Sequence, residues 1–134
     1  MTEPSLKDKV EELIRDNQIL LFMKGTPDAP QCGFSMRVVN VLEGYGVEYA
    51  ALDVLPALQP LREVTAEISD WQTFPQLYVK GELVGGADIV EEMDESGELA
   101  DLLGAERPER PARSAKQELQ ADNPQQSPPM QIER

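Results

Sequence analysis

Cys32 is the only cysteine in a 134-residue chain that contains no histidine. Any thiol chemistry here therefore runs through one sulfur and without an imidazole base. Cys32 follows the Pro/Gly-rich stretch Lys24-Gly25-Thr26-Pro27-Asp28-Ala29-Pro30-Gln31 and opens a segment with helical periodicity. A lone cysteine is commonly a small core hydrophobe. At a helix N-terminus, however, unpaired backbone N–H groups and the positive end of the macrodipole favour thiolate over thiol. Cys32 is thus expected to be partly exposed and reactive. The lack of histidine removes Cys-His and Ser-His catalytic pairs, His-ligated zinc and facial-triad iron. A single cysteine also excludes an internal disulfide.

Two further stretches could present backbone to a ligand. In Trp71-Gln72-Thr73-Phe74-Pro75-Gln76, Pro75 reads equally well as a turn proline before a strand. In Gly85-Gly86-Ala87-Asp88-Ile89, two glycines permit close backbone approach and Asp88 is expected to cap the following helix. The N–H groups at that helix end can hold a carboxylate.

These residues must be positioned by a small set of elements. Leu6, Val10, Leu13 and Ile14 recur at helical spacing, and Ile19-Leu20-Leu21-Phe22-Met23 is a short, continuous apolar run typical of a buried strand. The segment from Cys32 to Leu42 places Met36, Val39 and Leu42 on one helical face and stops at Gly44 and Gly46, after which Val47 to Asp53 reads as a strand. Pro60 to Ser69 reads as a helix. Leu77-Tyr78-Val79 and Leu83-Val84 form a hairpin through Lys80-Gly81, and a helix restarts at Asp88. The order α, β, α, β, α, β, β, α predicts an α/β chain with a small four-stranded mixed sheet covered by helices on both faces, the order of a thioredoxin-like fold.

Composition divides the chain at residue 104. Residues 105–134 hold five prolines, no aromatic and few apolar side chains, so this stretch is expected to be a disordered Pro-rich tail, with Ser114 to Ala121 its one candidate for a short helix. Five basic residues there (Arg107, Arg110, Arg113, Lys116, Arg134) balance five acidic ones (Glu106, Glu109, Glu118, Asp122, Glu133), so the whole net charge of −13 falls on the domain at 1–104. That charge speaks against nucleic acid and anionic membrane surfaces as partners. No apolar run approaches the roughly 20 residues of a membrane span, and the N-terminal residues do not resemble a signal or transit peptide. A cytoplasmic location is the resulting expectation.

Cys32-Gly33-Phe34-Ser35, preceded by Lys24-Gly25-Thr26-Pro27 and Pro30, resembles the CGFS signature of the monothiol glutaredoxins. The stretch from Trp71 to Val79 is similar to that family's segment around its cis-proline, and the resemblance extends over residues 6 to about 103. In dithiol relatives the position of Ser35 holds a second cysteine. A hydroxyl cannot attack a disulfide sulfur, so Ser35 removes the intramolecular resolving route.

The resemblance implies a glutathione site. The glycyl carboxylate would be held by Lys24 and Arg62, with Arg37 a weaker third cation. The cysteinyl part would pair with backbone at Thr73, Phe74 and Pro75. The γ-glutamyl part would lie on Gly86, Ala87 and Asp88, whose carboxylate would face the ammonium. It also implies a [2Fe-2S] cluster held by Cys32 and one glutathione thiolate from each chain of a homodimer, for transfer to iron-sulfur acceptor proteins. A BolA-like partner is implied by the family alone. The alternative is a glutathione-dependent oxidoreductase acting on protein mixed disulfides. Seven residues separate Lys24 from Cys32, a longer loop than in dithiol glutaredoxins, and in the family this accompanies weak reductase activity and retained cluster binding. Gln72 and Ala87 depart from the family pattern, which usually has proline and often cysteine or serine there.

Overall fold

The run Ile19–Met23 forms strand β1, and all five of its side chains are buried. A strand alternates its side chains between faces, so burial throughout requires cover on both sides. Ile19, Leu21 and Met23 pack in one core, while Leu20 and Phe22 pack in the other. In this computed structural model, which describes residues 5–108, β1 is an inner strand of a sheet in the order β4-β1-β5-β6. It pairs in parallel with β4 (Ala50–Asp53) and antiparallel with β5 (Gln76–Val79), which forms an antiparallel hairpin with β6 (Glu82–Gly85). Among the described residues no helix is long and apolar enough to cross a membrane.

The first core is closed by α2 (Gly33–Tyr45), α4 (Ala87–Ser96) and α5 (Glu98–Leu103) through Val38, Leu42, Val90 and Leu99. The second is closed by α1 (Leu6–Asp16) and α3 (Leu58–Ser69) through Val10, Ile14 and Leu61. Each fully buried Leu or Val contributes about 1.5–3 kcal/mol. Helix α1 begins in a capping box, in which Asp8 N donates to Ser5 Oγ at 3.1 Å and Ser5 N to Asp8 Oδ2 at 3.3 Å. The expected hairpin turn is present, with Lys80 at φ 54° and Gly81 at φ 85°.

The expected thioredoxin-like arrangement is therefore found, with several local differences. Between β1 and α2 the chain forms a two-stranded ribbon, β2 (Gly25–Thr26) against β3 (Ala29–Pro30). Strand β4 starts at Ala50 rather than Val47, and Gly44 lies inside α2, which ends at Gly46 in the left-handed conformation. Met36 does not join the core face of α2. It is exposed, and Ser35 occupies the buried position instead. Of the expected tail, residues 105–108 are described and are tied back to the domain: Arg107 Nε lies 3.3 Å from Oδ1 of the buried Asp94, which also accepts from the Tyr45 hydroxyl at 2.7 Å. The remainder of that tail, including the short helix considered at 114–121, lies outside the described residues.

Candidate functional site

Cys32 is the N-cap of α2, with extended backbone angles (φ −152°, ψ 136°) and a carbonyl that accepts from Met36 N at 3.0 Å. It is partly exposed. Burial pushes its thiol pKa up. The backbone N–H groups of Ser35 and Phe34, the charge of Lys24 and the Ser35 hydroxyl together outweigh that, so the thiol lies below its ordinary value. The thiol is thus shifted in the direction expected at a helix N-terminus, and the shift has an additional source.

That source is Ser35. Its side chain is fully buried, and its Oγ accepts from Lys24 N at 3.1 Å. An acceptor occupied in this way leaves the hydroxyl proton free to serve the thiolate. Ser35 therefore links the backbone at the end of β1 to the Cys32 sulfur.

Lys24 is held by the ribbon. Gln31 N donates to Lys24 O at 2.9 Å and Gly25 N to Asp53 Oδ1 at 2.9 Å. Gly25 sits at φ 92°, and a Cβ there would lie 2.6 Å from Ala29 O, so the ribbon closes only around glycine.

Phe74–Pro75 is a cis peptide. The Phe74 ring is buried edge-on against Phe22, with centroids 6.3 Å apart, so what Phe74 offers the surface is backbone. Across from it, a Cβ on Gly86 would lie 3.4 Å from Pro75 O. Gly86 is the N-cap of α4, and its lack of a side chain leaves the first N–H groups of that helix accessible.

These elements enclose a groove of about 490 Å³, within the range of small-molecule sites. Lys24, Cys32, Arg62, Thr73, Phe74, Pro75, Gly86, Ala87 and Asp88, nine residues from five separate stretches, all line it. Phe34, Trp71 and Ile89 line it as well and were not singled out from sequence. All three lay within the stretches quoted above, where attention went to their neighbours. The indole Nε1–H of Trp71 is buried and, among the described residues, has no hydrogen-bond partner.

Two expectations are corrected. Asp88 does not cap α4: the cap is Gly86, with no side-chain bond, and the Asp88 carboxylate is exposed and accepts from Arg37 Nη2 at 3.1 Å. The competing partner sits 51 residues away in sequence. Arg37, proposed as a third cation for the ligand, does not line the groove. Its guanidinium is engaged by both carboxylate oxygens of Glu91 and by Asp88, and it lies 5.4 Å from the centre of the Phe34 ring.

Comparison with known proteins agrees with this fold. The family model Glutaredoxin matches residues 19–84. "Probable monothiol glutaredoxin GrlA" of Legionella pneumophila is 56% identical over 84 residues, covering 63% of this chain and 93% of the relative. "Monothiol glutaredoxin-S11" of rice is 50% identical over 101 residues, or 75% of this chain, but the chain spans only 20% of that relative's length. Among solved structures, that of reduced poplar apo GrxS14 superposes with a TM-score of 0.64 at 43% identity, covering 73% of this chain and 89% of that one.

Proposed function

This chain belongs to the monothiol glutaredoxins, and from that premise we propose that it binds glutathione in the groove, carries a [2Fe-2S] cluster between two copies of itself and passes the cluster to acceptor proteins. The observation that carries the reading is one thiolate-favouring sulfur, Cys32, in a groove whose walls come from opposite faces of the sheet: Arg62 from α3 and the α4 N-terminus with Asp88 from the other side. A glutathione lying across it would meet charge of the right sign at both ends. Lys24 and Arg62 would take the glycyl carboxylate. The free N–H groups at Ala87 and Asp88 would take the γ-glutamyl carboxylate, and the Asp88 side chain the ammonium. The backbone at Thr73 to Pro75 would pair with the cysteinyl unit and set its sulfur beside Cys32.

The cluster argument is one of stoichiometry. A [2Fe-2S] cluster takes four ligands, usually sulfur. The chain has one cysteine and no histidine, and among the described residues no group of three or more His, Cys, Asp or Glu could hold a metal. Two chains, each contributing Cys32 and one glutathione thiolate, complete the set. Because two of the four ligands are dissociable small molecules, the cluster is cargo, suited to transfer and to a role in iron-sulfur assembly and redox homeostasis.

The lowered thiol also favours a second reading, reduction of protein–glutathione mixed disulfides. The Cys32 thiolate would attack the glutathione sulfur and the protein thiolate would leave. A second glutathione thiolate would then attack the Cys32–glutathione disulfide, releasing oxidised glutathione and restoring Cys32. Anaerobic reconstitution with iron, sulfide and glutathione, followed by visible absorption and sizing, distinguishes the two. A glutathione-dependent coloured dimer that Cys32→Ser cannot form is the expected result. A colourless monomer that turns over glutathionylated substrate would leave only the reductase.

A further inference from the structure

Behind the wall formed by Thr73 to Pro75 lies a polar chain that the chemistry above does not use. Gln76, the first residue of β5, is fully buried. Its side-chain amide nitrogen donates to Trp71 O at 3.2 Å and to Thr73 O at 3.1 Å, and its Oε1 accepts from the Tyr78 hydroxyl at 2.9 Å. The Tyr78 hydroxyl, itself buried, lies 2.7 Å from Ser69 Oγ at the end of α3. A phenol has one proton, and Tyr78 gives it to Gln76. Ser69 must therefore donate to Tyr78, and the chain runs with one polarity from Ser69 through Tyr78 and Gln76 to two main-chain carbonyls.

A polar side chain in this position is costly to bury unless every one of its groups is paired, and here they are. An apolar side chain of similar volume would fill the same space without that requirement. What it could not do is hold the carbonyls of Trp71 and Thr73. Those two residues belong to a segment outside any helix or strand, so no regular ladder fixes its backbone. Turning both carbonyls inward onto one amide fixes the 71–72 and 73–74 peptide units, the second of which leads directly into Phe74 on the groove wall.

We propose that Gln76, supported by Tyr78 and Ser69, is a positioning residue for the thiol tripeptide: it holds the backbone edge at Thr73 to Pro75 against which the ligand pairs. This rests on the glutathione reading above. The test is calorimetric titration of reduced glutathione into the full chain and three variants, with thermal melts to establish that each is folded. The variants are Gln76→Met, Tyr78→Phe and the core control Leu99→Ala. Leu99 is buried in the opposite core and does not line the groove, so Leu99→Ala loses stability without touching the edge.

Gln76→Met is expected to bind about tenfold more weakly, the equivalent of one net hydrogen bond in the complex. Tyr78→Phe, which keeps the amide but removes its anchor, is expected to bind roughly threefold more weakly. Leu99→Ala is expected to bind like the parent. If the parent binds and Gln76→Met or Tyr78→Phe binds equally well, or if Leu99→Ala loses as much affinity as they do, the positioning role is wrong. If the parent itself does not bind, the glutathione reading fails first and the proposal falls with it. Should Gln76→Met not fold, the comparison of Tyr78→Phe with Leu99→Ala decides.

Discussion

Ser35→Ala tests how the reactive thiol is made. The substitution removes one hydroxyl that both supports the Cys32 thiolate and accepts from Lys24 N at 3.1 Å. A hydrogen bond to a charged group is worth about 1.5–3 kcal/mol when water is excluded. Cys32 is partly exposed, so water and screening replace part of that. Only part of it remains, and its loss is expected to move the thiol titration upward. The N–H groups of Phe34 and Ser35 and the charge of Lys24 stay in place, so the thiol does not return to its ordinary value. The same change leaves the half-buried Lys24 N–H without its acceptor, at a cost in stability of about 1 kcal/mol. The pH dependence of alkylation rate, checked by ultraviolet thiolate absorbance, reads the first quantity, and denaturant unfolding reads the second. A stability loss with no upward movement of the thiol titration would refute the hydroxyl's role and leave the backbone amides and Lys24 as the whole cause.

The lowered Cys32 pKa also makes stability depend on pH. Between the folded value and the ordinary value the unfolded chain holds more protons than the folded one, so stability rises with pH across that window and is lost as pH falls through the folded value; Cys32→Ser is expected to abolish that slope in unfolding measured over the alkaline range. Lys24→Glu combined with Arg62→Glu is expected to weaken glutathione binding by about tenfold or more, with the defect smaller at high salt; unchanged affinity would show that the glycyl carboxylate sits elsewhere. Arg37→Gln is expected to cost about 1 kcal/mol in denaturant unfolding, because it releases Glu91 and Asp88 on α4 from α2. Arg107→Ala is expected to cost a similar amount, about 1 kcal/mol, since the buried Asp94 keeps the Tyr45 hydroxyl when the half-exposed guanidinium is removed; an unchanged melting temperature would show that the ion pair contributes nothing.

Much of this protein is legible along the chain because its signals are local. A five-residue apolar run must be buried on both faces wherever it is placed. A Lys-Gly pair between alternating apolar segments turns a hairpin, and a cysteine at a helix start meets free N–H groups whatever packs around it. Eight of the nine site residues come from quoted motifs and line the groove for one reason: each motif combines a strand end or helix start with a loop, and the sheet brings those ends to one edge; Arg62, inside α3, came from the resemblance alone. The ribbon β2–β3 carried no such signal, since two-residue strands have no period to read.

What the sequence could not disclose are pairings between residues far apart in the chain. The apolar periodicity of α2 put Met36 in the core, but Ser35 is buried there because its hydroxyl finds Lys24 N, 11 residues away, and a hydrophobic pattern cannot rank a serine as core. Asp88 has the composition and place of a helix cap, and Arg37 looks like a free cation. Each loses that local role to the other when α2 packs on α4. Gln76 reads as an ordinary polar residue beside a proline until the fold places Tyr78 and the carbonyls of Trp71 and Thr73 around it. By itself the sequence determined the order of the main helices and sheet strands, the sulfur at a helix start and the stretches that meet at it, because propensity and spacing act over a few residues. The tertiary structure alone decided which polar groups are satisfied, and by whom, because a hydrogen bond or ion pair selects its partner by distance in space.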